Sequence, residues 1–331
     1  MAAETLVELR ADSMVGSYRL VREIGRGGMG TVYEAVHTIL PRRAAIKVMH
    51  SELRRHPGMA TRMVQEAGIL EDIQHGGIVR VYECNILPDH RPWIAMELVD
   101  GDSLAQRLHH ATRLPAAEVA ALLADVADVL ASVHARGVVH RDLKPDNLLL
   151  TPGDRIFPLR MIDWGVAWLG PIGRLTLDGL TPGTPIYMSP EQATGKDIAA
   201  PCDIYSLGVI AYEALLGHPP FDGRTLAEVV CMHMASAPAP LHGRCDAPIA
   251  LCDLIHGMLD KAPSTRPRAI DVRDAARSLA FDASSAGYEA FEISTEISTE
   301  ALEFPKPRWT PELSPAVPSA QNRPEIANVR R

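Results

Sequence analysis

Between residue 18 and about residue 98 the apolar positions fall in short runs rich in β-branched and aromatic residues. They are YRLVREIG at 18–25, TVYEAVHT at 31–38, AAIKVM at 44–49, IVRVYECN at 78–85 and WIAMEL at 93–98. Runs of this length and composition, separated by glycine, proline and polar residues, predict β-strands. One interruption, TRMVQEAGILEDI at 61–73, spaces its apolar residues at helical period and predicts a helix near 60–73. From about residue 99 the pattern is helical instead. AAEVAALLADVADVLASVHA at 116–135 reads as a buried helix, and Pro201, Pro219, Pro220 and Pro263 mark turns and helix starts up to about Ala280. A strand-rich part followed by a helix-rich part is an α+β arrangement.

Outside that stretch the pattern weakens. Residues 1–17 read as a short N-terminal extension. From about Phe281 prolines at 305, 307, 311, 315, 318 and 324 break any period, and FEISTEISTEALEF carries a tandem E-I-S-T. Too little of that segment is apolar to build a core, so residues 281–331 are expected to form a proline-rich disordered tail.

Composition then excludes several classes. Hydrophobic residues make up 47% of the 331, enough for a proper core, while aromatics are only 5%, so Ala, Leu, Val and Met must do most of the packing. The net charge of −8 offers no basic footprint for nucleic acid. Cysteines at 84, 202, 231, 245 and 252 show neither a CxxC pair nor metal-ligand spacing, which fits reduced thiols in a cytoplasmic protein. The N-terminus MAAETLVELRADSM carries acids and lacks an apolar run, so no signal peptide is expected. No membrane span is expected either, because Glu118, Asp125 and Asp128 interrupt the longest apolar stretch.

Candidate chemistry sits in a few short motifs. HRDLKPDN at 140–147 sets an aspartate, a lysine and an asparagine at the spacing of a phosphoryl-transfer site. IGRGGMGTVYEA at 24–35 has glycines at 25, 27 and 30, where side chains would keep backbone amides away from phosphates. A dinucleotide-binding turn would start a helix at the third glycine, whereas TVYEAV continues as a strand, so a hairpin over the phosphates is the better reading. AAIKVM has Lys47 as its one charge, MIDWGVA at 161–167 ends a short strand in Asp163, and GTPIYMSPEQ follows at 183–192.

In this order the motifs resemble those of bacterial, eukaryotic-like (Hanks-type) serine/threonine protein kinases, over roughly residues 18–280. The resemblance implies a two-lobed kinase fold, with an N-lobe at 18–98 and a C-lobe at 99–280, and transfer of the γ-phosphate of ATP to protein Ser/Thr hydroxyls, including its own. Asp142 would accept the hydroxyl proton, with Lys144 and Thr184 beside it, and Asn147 and Asp163 would ligate Mg2+ or Mn2+. Lys47 would grip the α- and β-phosphates and pair with Glu66, preferred over Glu52 and Glu71. The nucleotide would lie among Ile24, Gly25, Gly27, Gly30, Val32, Ala45, Met96 as gatekeeper, Glu97, Val99 and Leu149. Glu191 would be buried against Arg266, and Asp203 would tie a core helix to the catalytic-loop backbone.

Three places depart from the family pattern. Trp164 stands where Phe is usual and adds an N–H that needs a partner when buried. Ser189 stands where Ala is usual. In the activation loop, Leu180 occupies the place of a family threonine, and Thr176 and Thr181 are the candidate phosphate acceptors, with Arg141 as their partner. The partners implied are ATP, protein substrates and a second copy of the chain during autophosphorylation. The alternative is a pseudokinase acting as an interaction scaffold. Such chains usually lose one of the lysine or the two aspartates, and here Lys47, Asp142 and Asp163 are all present.

Overall fold

The structure is a computed structural model that describes residues 8–27, 30–51, 67–151, 153–154, 157–164, 184–196 and 198–285. Its first part is a six-stranded antiparallel sheet in the order β1-β2-β3-β4-β6-β5, from Met14–Val15, Tyr18–Arg26, Gly30–His37, Arg43–Met49, Val81–Ile86 and Pro92–Glu97. Side chains on a strand alternate between faces. Along β4, Ala44, Ile46 and Val48 therefore join Tyr18, Leu20 and Trp93 in one apolar layer, while Ala45 and Met49 join Ile94 and Met96 in another. Lys47 shares the parity of Ala45 and Met49, and the second layer also holds Ala67 from a helix described over 67–73 (α1) and Ile162 from the helical part.

The second part is helical: α2 (Leu104–Ala111), α3 (Ala116–His134), α4 (Pro190–Thr194), α5 (Pro201–Leu216), α6 (Leu226–Ala235), α7 (Ile249–Met258) and α8 (Ala269–Ser285). α5 is buried along nearly its whole length, as its mostly apolar run from Ile204 to Leu216, interrupted by Ser206 and Glu213, requires. A two-stranded antiparallel ribbon, β7 (Leu148–Leu150) and β8 (Leu159–Met161), pairs in register Leu148↔Met161. The fold is thus the expected two-lobed α+β kinase fold. Among the described residues no helix is long and apolar enough to cross a membrane.

At three edges the structure differs from the pattern read along the chain. Met14–Val15 adds a strand to the sheet and Val15 is fully buried, so part of the segment expected as an extension packs with the N-lobe. The strand expected at 78–85 begins only at Val81, because Ile78 instead bridges Met161 in the other lobe. The last helix continues past residue 280 to Ser285. Residues 286–331 lie outside the described set.

Candidate active site

Lys47 is set by the register of three strands, opposite Val32 on β3 and Ile94 on β6. Its ammonium donates to Asp163 Oδ1 at 2.8 Å across the lobes. Burial pushes the Asp163 carboxyl up, but the Lys47 charge and hydrogen bond outweigh it and hold the group below the ordinary carboxylate range. It is therefore ionised at neutral pH, the state a cation ligand needs. Glu66, the expected partner of Lys47, and its competitor Glu52 lie outside the described residues, and Glu71 is exposed.

The catalytic-loop segment is held from several sides. A 3-10 turn over Pro145–Asn147 leads into β7, and the Asn147 side-chain amide donates to the Asp142 carbonyl at 2.8 Å. That bond commits the amide nitrogen, and the other polar atom of the Asn147 side chain is an oxygen of the kind that ligates a cation. The Ile162 N–H donates to the Asn147 carbonyl at 3.0 Å, which puts Asn147 beside the segment that leaves β8 toward Asp163. Lys144 Nζ lies 3.2 Å from Asp142 Oδ2. Asp142, Lys144, Asn147, Asp163 and Lys47 are thus brought to one place.

Two residues of this site have left-handed backbone, Arg141 at φ 66° and Asp163 at φ 54°, a conformation that costs about 1–3 kcal/mol and persists only where neighbours enforce it. The neighbours are visible. Asp203, at the start of α5, accepts the His140 and Arg141 backbone N–H groups at 2.8 and 2.9 Å, and the Arg141 carbonyl accepts from Gln192 Nε2 at 2.7 Å. Burial pushes Asp203 up, while His134, with its ring nitrogen at 2.8 Å, and the His140 amide hold it below the ordinary range. Burial also pushes the His140 imidazole down, keeping it neutral against the Trp164 ring at 4.7 Å. Trp164 Nε1 donates to the Met161 carbonyl at 3.2 Å, the partner that a buried indole requires.

The chain after the activation loop is equally tied in. Ser189 is the N-cap of α4 and forms a capping box with Gln192, so the residue that departs from the family's alanine starts the helix whose Gln192 holds Arg141. Glu191 on that helix meets Arg266 through two hydrogen bonds of 2.7 and 2.9 Å, buried as expected. Thr184 opens a 3-10 turn, Thr184–Tyr187, but its side chain lies outside the described residues. Thr176 and Thr181 lie outside them too.

Of the residues expected around the nucleotide, Val32, Ala45, Met96 and Val99 come together in the cleft-facing apolar layer with Ile162. Glu97 ends β6 with its N–H on the Arg80 carbonyl at 2.8 Å. Leu149 is half-buried on β7, and Ile24 is 38% exposed; neither joins that layer. Gly25 pairs with Val32 on the hairpin, Gly27 donates to Gly30, and Gly30 has no room for a side chain because the Val48 carbonyl lies against it. Ile162 and His50 were missed in the sequence. Ile162 had a signal, an apolar position directly before Asp163, whereas His50 reads as an ordinary residue after a strand.

Among the described residues no group of three or more His, Cys, Asp or Glu is arranged to hold a metal. Asp163 and Asn147 offer two side-chain oxygens, and a donor set of this kind fits a hard divalent cation whose other ligands come from phosphate and water.

Comparison with known proteins agrees with this geometry. The protein kinase domain family matches residues 18–276. Serine/threonine-protein kinase Pkn1 of Myxococcus xanthus is 40% identical over 241 residues, covering 72% of this chain and 34% of that protein. Serine/threonine-protein kinase PknA of Mycobacterium tuberculosis is 37% identical over 260 residues, 77% of this chain and 59% of that protein. The chain thus spans between a third and three fifths of the length of these relatives. The crystal structure of the Mycobacterium tuberculosis PknI kinase domain superposes with a TM-score of 0.65 at 26% identity, covering 82% of this chain and all of that one. With its sheet-based N-lobe, helical C-lobe and catalytic loop in family order, the chain belongs to the protein kinase family, in the bacterial serine/threonine branch.

Proposed function

We propose that this chain is an active serine/threonine protein kinase that transfers the γ-phosphate of ATP to protein hydroxyls. The observation that carries the reading is the 2.8 Å contact of Lys47 with Asp163 beside a catalytic loop whose Asp142, Lys144 and Asn147 are all present. In this reading the adenine stacks among Val32, Ala45 and Met96, above Leu149 and below Ile24, and meets the backbone of Glu97 and Val99. The hairpin that carries Gly25, Gly27 and Gly30 covers the phosphates, where side chains at these positions would stand in the way. Lys47, kept in place by Glu66, turns from Asp163 to the α- and β-phosphates. Asn147 and Asp163 would hold a magnesium ion, or manganese in its place, which when bound would neutralise charge on the nucleotide phosphates.

Asp142 accepts the proton of the incoming hydroxyl, while Lys144 and Thr184 orient it and Lys144 offsets charge on the moving phosphoryl group. Thr176 and Thr181 are the proposed autophosphorylation sites, with Arg141 as their partner in a transient pairing of two copies. The location is cytoplasmic, where ATP is available.

The test is transfer of labelled γ-phosphate to a basic protein substrate, with and without magnesium, using wild type, Lys47→Met and Asp142→Asn. Losses of about a thousandfold or more are expected in both variants, each remaining folded, since neither residue belongs to the apolar core. Mass spectrometry of the incubated wild type should find phosphate on Thr176 or Thr181. Near-native turnover by Asp142→Asn would sink the reading.

A further inference from the structure

β4 carries Lys47, and the residue that follows its end, His50, is turned back toward the glycine-rich hairpin. Its Nε2 lies 2.8 Å from the carbonyl oxygen of Gly27, 23 positions earlier. A carbonyl only accepts, so the imidazole donates through Nε2. Gly27 is held on its other side as well, its N–H donating to the Gly30 carbonyl at 2.9 Å. Gly30 in turn pairs with Met49 and packs on the Val48 carbonyl. The returning stem of the hairpin is thus fastened to β4 by its ladder, and the outgoing stem by the His50 side chain.

This contact joins two pieces of the nucleotide site that sequence spacing keeps apart. Lys47 and the glycine turn must face the same phosphates, and both now hang from the end of one strand. A single hydrogen bond near the surface adds little to global stability, but it fixes the direction in which the chain enters the turn. Ordering such a turn on binding would otherwise weaken affinity, and ordering it beforehand avoids that loss.

We propose that His50 is a positioning residue for the nucleotide: by holding the Gly27 carbonyl it presets the glycine-rich turn for the phosphates of ATP. The proposal rests on the ATP-dependent reading above. It assigns the effect to binding and not to turnover, and to the N–H donor and not to the ring or its charge.

The experiment uses the full chain with His50→Phe, which keeps a ring without a donor, and His50→Gln, which keeps a donor without a ring. Steady-state transfer is measured against ATP concentration, with ATP–magnesium calorimetry and melting temperature on the same proteins. His50→Phe is expected to raise KM and Kd for ATP about 3-fold to 10-fold, the range one hydrogen bond supports, with kcat within about 2-fold. His50→Gln should recover most of the affinity, and the melting temperatures should agree. Unchanged ATP affinity in His50→Phe overturns the proposal, as does a Gln variant as weak as the Phe variant, or a loss confined to kcat. Calorimetry separates the two readings: wild type that binds ATP without transferring phosphate defeats the kinase reading and leaves the His50 comparison decisive. Wild type that fails to bind ATP defeats both.

Discussion

Trp164 shows how one departure from a family pattern acquires a physical reason. A phenyl ring at this place would fill the same apolar space, but the indole also donates to the Met161 carbonyl and packs at a tilt against neutral His140. Both contacts brace the residue next to Asp163, whose left-handed backbone must be held by something. We therefore expect Trp164→Phe to stay folded while the unphosphorylated protein loses basal transfer by about 2-fold to 10-fold, the equivalent of one hydrogen bond. Initial rates measured before any autophosphorylation decide the matter, and equal rates for the two proteins would remove the idea.

For single elements, the helix α3 carries an unusual charge pattern. Asp128 faces two guanidinium groups, Arg273 and Arg277 of α8 at 3.2 and 3.1 Å, and the His75 ring nitrogen at 3.6 Å. Asp125, one turn earlier, is less well served: burial, offset only in part by Arg277 and reinforced by Asp128, lifts its carboxyl to about 6. Below about pH 4 such a group is protonated in both folded and unfolded chains. Between about pH 4 and 6 only the unfolded chain ionises, so folding stability falls as pH rises, and above about pH 6 the loss is complete. Asp125→Asn should accordingly stabilise the protein at pH 8 by about 1–2 kcal/mol, after a discount for partial exposure, and by clearly less at pH 5. Denaturant melts of both proteins at the two pH values test this, and a gain that does not depend on pH would contradict it.

Over the whole molecule, the Glu191–Arg266 pair joins the segment after the activation loop to the far end of the C-lobe, 75 positions on. Arg266 also donates to the carbonyls of Asp260 and Pro201 at 2.7 and 2.8 Å and lies over the Tyr205 ring at 4.9 Å. Removing the guanidinium leaves a buried carboxylate without its counter-charge, which costs about 3–5 kcal/mol. Arg266→Met should therefore lower the denaturant midpoint strongly, and Glu191→Gln in the same chain should restore part of it. A single-variant loss under about 1 kcal/mol would show that the pair matters less than its burial suggests. Activity should fall with it, since α4 also carries Gln192, which holds the Arg141 carbonyl.

Much of this was legible along the chain. Lys47, Asp142, Asn147 and Asp163 are named by motifs whose members lie close together in sequence, and strand alternation alone puts Lys47 on the face of Ala45 and Met49. Ser189 could have been read as a helix cap from S-P-E-Q, since a capping box spans only one turn. The bond of Asp203 to the His140 backbone, 63 positions apart, is expected from the family resemblance, however, and not from spacing. Spacing also says nothing about a pair such as Lys47–Asp163, 116 positions apart. The same holds for Ile78, whose apolar run reads as sheet but whose partner is Met161 in the other lobe. Apart from three element edges, the strands and helices, the charges and the chemistry available at each motif can be read along the chain, because those depend on neighbours within a turn or a strand. Only the tertiary structure decided which distant groups meet, that Met14–Val15 joins the sheet and that His50 reaches Gly27, because those contacts depend on how the strands and lobes pack against one another.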